Sequence, residues 1–167
     1  MTAYDRLSTQ ITNRDATPVV FNNGGLTAGV DKSAIATLEA VSGDGIGSTY
    51  RLVTVPSNAY IRQVLLSCDD IGTTTVADVG VYKTTKDGSA VVDADFFGSA
   101  VSLKDGALTR SDITNESGVY PIENMVKPLW EALGLSSDPC IDYDIVLTLT
   151  AAADAAGTIT LEVRYAV

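Results

Sequence analysis

The last stretch of the chain, "IVLTLTAAADAAGTITLEVRYAV" from Ile145 to Val167, constrains its fold more than any other. Ile145, Leu147 and Leu149 fall on one side of an extended chain. After the small-residue loop "AAADAAG", Ile159, Leu161, Val163 and Tyr165 alternate with Thr158, Thr160, Glu162 and Arg164. A period of two marks β-structure, and apolar-in, polar-out alternation marks antiparallel strands with one packed and one wet face.

The same signature recurs upstream. "YRLVTV" (Tyr50–Val55) is rich in β-formers and is closed by the turn residues Pro56, Ser57 and Asn58. "YIRQVLLSC" (Tyr60–Cys68) sets Ile61 and Leu65 on one face against Val64 and Leu66 on the other, which predicts a strand covered on both sides. "VADVGVYK" (Val76–Lys83) alternates Val79 and Val81 with Asp78, Gly80 and Tyr82. One segment reads as helix, about residues 121–134: Pro121 suits a first turn, Glu123 the N-terminal end and Gly134 a C-cap. Ile122, Met125, Val126, Leu129, Trp130 and Leu133 would share its apolar face, with Pro128 kinking the segment or splitting it into two turns.

Residues 1–47 lack any sustained period, so they are expected to form an N-terminal arm ahead of a β-sandwich domain over 48–167. Within the arm, Ala36–Val41 is able to pair as an edge strand. The expected fold is mainly β: an antiparallel sandwich or jelly roll with one short helix and an extended arm.

Composition removes several classes of function. The chain is 46% hydrophobic and 19% charged, as a folded domain is. Its net charge is −10, from 21 acidic and 11 basic residues, with no basic run. Nucleic acid and anionic membrane are therefore excluded as primary partners. There is no histidine, which removes Ser–His and Cys–His nucleophiles and the commonest catalytic metal ligand. Cys68 and Cys140 form no metal-binding spacing and are expected to be buried, reduced, small apolar residues. The opening "MTAYDRLSTQ" has no secretory pattern, and no apolar run reaches the roughly 20 residues that span a bilayer. The glycines of "SGDGIGS" precede β-pattern rather than a helix, so they make no phosphate loop.

The stretch "ADVGVYKTTKDGSAVVDADFF" (Ala77–Phe97) is dense in carboxylates. Asp87-Gly88 between apolar runs is a hairpin signal, and Gly80 in mid-strand points to a bulge or a close backbone approach. Asp93 and Asp95 form a DxD, but Phe96-Phe97 follow where a calcium loop needs further oxygens, so a polar strand face is the stronger reading. Asp138, Asp142, Asp144, Asp154 and Glu162 form no recognisable catalytic pair. A non-enzymatic protein without cofactor or metal is expected. Tyr82 and Trp130 leave a carbohydrate-binding or head-fibre-type recognition module as the alternative.

Three of these stretches, "YRLVTVPSNAYI" (Tyr50–Ile61), "ADVGVY" (Ala77–Tyr82) and "DGSAVVDADFFGSAVSL" (Asp87–Leu103), together resemble small virion proteins of tailed bacteriophages with a capsid cement, or decoration, role. The resemblance covers about a third of the chain. It implies a jelly roll or related sandwich on the outer surface of a phage capsid, made in the host cytoplasm. Its partners would be the major capsid protein and further copies of itself, a homotrimer ahead of a homodimer. An apolar-spotted arm can order on contact with such a neighbour, with Tyr4, Leu7, Ile11 and Phe21 as anchors. Equally, the arm can supply a strand to the protein's own sheet.

Overall fold

A computed structural model of the chain describes residues 7–104 and 106–167. Eight strands make up the fold: β1 Asp31–Ala40, β2 Thr49–Pro56, β3 Tyr60–Cys68, β4 Val76–Lys83, β5 Val91–Ser102, β6 Leu108–Asp112, β7 Asp142–Ala151 and β8 Gly157–Ala166. They form two four-stranded sheets, in the orders β1-β8-β3-β6 and β2-β7-β4-β5. The antiparallel pairs β1–β8, β2–β7, β3–β6 and β4–β5 are those of one long ribbon folded back at the β4–β5 turn. Rolling that ribbon adds the contacts β3–β8 and β4–β7. The result is the double-sheet jelly roll, in which each sheet covers the other's apolar face.

The alternation read in β7 and β8 is met by burial: Ile145, Leu147, Leu149, Ile159, Leu161 and Val163 all lie in the core. β3 differs in detail. Its register against β8 shifts between Ile61 and Gln63, which turns Ile61 to the same side as Val64 and Leu66, in the core. Leu65 faces the other way and is buried too, so the strand is covered on both faces, as expected. Phe96, Phe97 and Tyr120 form an aromatic cluster in the core, with ring centroids 5.0–5.3 Å apart.

The β4–β5 hairpin forms where the Asp-Gly signal stands, through a longer loop than two residues. Thr85–Asp87 make a 3₁₀ turn, Gly88 takes φ 92°, and Lys83 N–H donates to Ala90 O at 2.8 Å. Gly80 is needed for contact: a Cβ there would drive into the backbone of Asp93 and Ala94, where β5 bulges across β4. The helical segment splits at Pro128 into a 3₁₀ turn over Ile122–Val126 and a short helix over Leu129–Ala132. Two further short helices precede the sheets, α1 over Thr9–Asp15 and α2 over Gly24–Thr27, which makes Leu129–Ala132 α3. The edge strand read at 36–41 is present, and it runs from Asp31 to Ala40 against β8.

Candidate contact surface

The strand registers define two ends of the sandwich. At one end lie Pro56, Tyr60, Lys83, Asp142 and Ala166, together with the start of β1 at Asp31. Residues 7–30 and the split helical segment gather there, so we call it the arm end. Leu129 and Trp130 dock by donating their N–H groups to Ala59 O and Ser57 O, at 2.8 and 2.9 Å.

Residues 7–30 hold themselves in place by polar contacts. Ser8 caps α1 by accepting from Ile11 N–H, and Asn23 caps α2 by accepting from Gly25 N–H. Asn13 Nδ2 donates to Asn22 Oδ1 at 2.9 Å, and Asn22 Nδ2 donates to Gln10 O. Two contacts tie the segment to β3: Asn23 Nδ2 to the Tyr60 hydroxyl at 2.7 Å, and the Arg62 guanidinium to Gly25 O at 3.0 Å. Gly25 lies against the Tyr60 ring, where a Cβ would not fit. Neither α1 nor α2 buries a residue.

With its polar groups turned to each other, this segment leaves its apolar groups to solvent. Phe21 is 93% exposed and Leu7 57% exposed. Ile11 is half-buried in α1, and Tyr4 lies outside the described residues. Val19, Val20 and Val30 are exposed in the same way, and so are Ile122, Val126 and Leu135 from the split segment. A cavity of about 600 Å³ lies between the two, lined by Ser8, Gln10, Asn13, Asn22, Leu26 and Val126 among others. The six-residue apolar face read for one helix does not persist. Leu129 is buried and Met125 and Leu133 pack on the core, whereas Ile122 and Val126 face out, because the break at Pro128 changes the direction of the chain.

The opposite, loop end carries small and acidic residues that satisfy one another, with Val41 and Ile46 exposed beside them. Asp44 accepts from the Tyr50 hydroxyl at 2.6 Å and from Val41 N–H at 3.1 Å; the Tyr50 bond above all holds its carboxyl below the usual range. Asp154 accepts from Thr73 N–H and Thr73 Oγ1 at 2.9–3.1 Å, and these bonds lower its pKa likewise. Backbone bonds from Gly43 to Ala153 and from Ala153 to Asp44 lace the loops together.

The other chemical candidates have structural roles. Asp93 and Asp95 lie half-buried on β5, and Asp95 N–H donates to Asp93 Oδ1 at 3.3 Å. Burial, then the neighbouring Asp95 carboxyl, raises the pKa of Asp93. Among the described residues no three His, Cys, Asp or Glu side chains converge. Asp144 pairs with Arg51 at 2.8 Å, and Arg51 also lies over the Tyr82 ring and donates to Lys83 O and Ser89 O, strapping β2 to the hairpin. Asp138 accepts from Ser57 Oγ and Cys140 N–H. Glu162 is bracketed by Arg110 and Arg164, each at 2.7 Å. Tyr82 is buried with its hydroxyl against Thr148, which removes it as a sugar-stacking platform; Trp130 is half-buried. The two cysteines are free, and only Cys68 is buried as expected. Cys140 is exposed on a loop with φ 53°, because Pro139 and the Asp138 turn hold it outside the core.

No protein family matches the chain by sequence, and neither does any curated protein. Its fold is shared with chains of solved phage capsids. A chain in the capsid asymmetric unit of cyanophage Pam1 aligns with a TM-score of 0.53 at 14% identity, covering 92% of this chain and 96% of that one. A chain in the capsid of Ralstonia phage GP4 aligns with a TM-score of 0.51 at 15% identity, covering 81% and 84%. The jelly roll described above is thus a fold that occurs, over most of its length, in chains of two phage capsids.

Proposed function

We propose that this chain is a non-enzymatic structural protein of a phage virion, which binds the outer surface of the assembled capsid and stabilises the shell. The observation that carries the reading is the likeness of its fold, over 92% and 81% of the chain, to chains of two phage capsids. The resemblance of Tyr50–Leu103 to cement proteins gives it its finer form. The exposed apolar side chains of residues 7–30, with Ile122 and Val126 beside them, supply a surface that a shell would cover.

The physics of cementing is mass action. A ligand that binds the assembled shell and not its separated subunits adds stability that grows with occupancy, and many equivalent sites multiply the effect. No catalysis is required, and the acidic side chains described above are engaged in holding loops and strands. The partner is the major capsid protein. The protein acts as a homo-oligomer, a trimer ahead of a dimer, in keeping with the local symmetry axes of a shell.

Co-sedimentation tests this directly. Purified chain is mixed with expanded capsids of the phage that encodes it, prepared without the chain. Saturable binding at micromolar protein and a higher capsid melting temperature are expected. Absence of binding at that concentration rejects the reading.

A further inference from the structure

Sheet edges offer unpaired backbone groups, and folded proteins normally interrupt them. Three of the four edges here are interrupted. β2 breaks register between Arg51 and Val53 and ends on Pro56. β5 shifts register repeatedly against β4 and holds Ala100 at φ 52°. β6 has five residues, with Arg110 at φ 49°. β1 has no such device: it pairs with β8 without a bulge from Asp31↔Ala166 to Ala40↔Gly157, and among the described residues no strand is hydrogen-bonded to its other side, although β2 of the facing sheet comes near. Ile35, 63% exposed, stands in its outward row.

The same chain carries a segment suited to that edge. Val19, Val20 and Phe21 are β-formers lying outside any helix or strand, all three exposed. Val20 N–H donates to Asn13 O at 3.2 Å, which fixes one side of the run against α1. In an extended chain the groups of the two flanking residues point the opposite way, and among the described residues the N–H groups of Val19 and Phe21 have no acceptor. Charge permits the meeting of two copies despite −10 on each: no charged residue lies between Asp15 and Asp31, and none lies in Ser33–Leu38 of β1.

We propose that Val19–Asn22 of one copy adds as a short strand to β1 of a second copy, and that repetition of this contact closes a ring. Donor and acceptor are both present once per chain, so a closed heterologous ring covers both in every subunit, which a single edge-to-edge pair would not do. The ring forms without a capsid and so stands apart from the shell-binding reading.

Complementation between two variants tests it. Phe21→Lys spoils the donor and Ile35→Lys the acceptor; both side chains are exposed, so the sandwich folds, as circular dichroism checks. Should either fail to fold, Val19→Lys and Thr37→Lys probe the same run and the same row. Sedimentation velocity should show an oligomer for the unmodified chain, a monomer for each variant alone, and recovered dimer in their equimolar mixture. Recovery follows because one copy still brings a sound run and the other a sound edge. A monomeric unmodified chain, a variant that keeps the full oligomer, or a mixture that stays monomeric overturns the proposal.

Discussion

The two ends of this jelly roll solve opposite problems. At the loop end, small residues and aspartates consume one another's hydrogen-bonding capacity: Asp44 ties Tyr50 to the 41–47 loop, and Asp154 ties the 72–75 turn to the β7–β8 connection. At the arm end the side-chain amides pair with each other and with β3, yet the N–H groups of Val19 and Phe21 have no acceptor among the described residues, and apolar side chains such as Phe21, Val19 and Ile122 remain in water. Val41 and Ile46 are exposed at the loop end too, but the arm end carries more exposed apolar side chains, and large exposed apolar patches mark contact sites. Under the proposed function one end does stability work and the other contact work, and substitutions can separate the two.

The largest effect should come from within the arm end, which has a welded part and a carried part. Leu129 is fully buried, so Leu129→Ala should cost about 2–5 kcal/mol of unfolding free energy by urea titration. That value sharpens the comparison by showing that the split helical segment belongs to the core, unlike residues 7–30. Next, Gly72 sits at φ 101°, and a Cβ there would collide with the Asp154 carboxylate. Gly72→Ala should cost about 1–3 kcal/mol while leaving shell binding unchanged; a loss of binding instead would break the division between the ends.

Acid should loosen the loop end. Asp44 and Asp154 both have lowered pKa values, so the stability they add is present above the ordinary carboxylate pKa of about 4 and fades as pH falls through it toward the folded value. Amide exchange in residues 41–48 and 72–75 should therefore rise in acid, with exchange around Leu129 changing less. The smallest effect on stability belongs to Phe21→Ser, within about 0.5 kcal/mol, since the ring is already in solvent. The same variant should nevertheless weaken shell binding. Phe21→Ser that unfolds the protein would place the arm in the stability half of the molecule.

Much of the framework could be read from residue order, and the failures have identifiable causes. β7 and β8 were legible because one face of each is core and the other water, so hydropathy repeats every second residue. Ile61 and Leu65 do not share a face in β3, because the register shifts between Ile61 and Gln63 and a bulge has no signature in residue order. β1 was legible only from Ala36 onward, since Asp31, Lys32 and Ser33 at its start are exposed and polar. Ile122 and Val126 looked like core because helical spacing assumes an unbroken helix, which Pro128 does not allow. In the arm, composition pointed to Phe21 and Leu7. No period told which side Val19 and Val20 would face, because Asn13 and Asn22, not packing, set the course of that run.

Hydrogen exchange compared between the free chain and the chain bound to capsids tests the central claim most directly. The account predicts new protection in residues 7–18, 23–30 and 122–126 and none in 41–48, 69–75 or 152–156. Protection confined to the loop end, or none at the arm end, would contradict it.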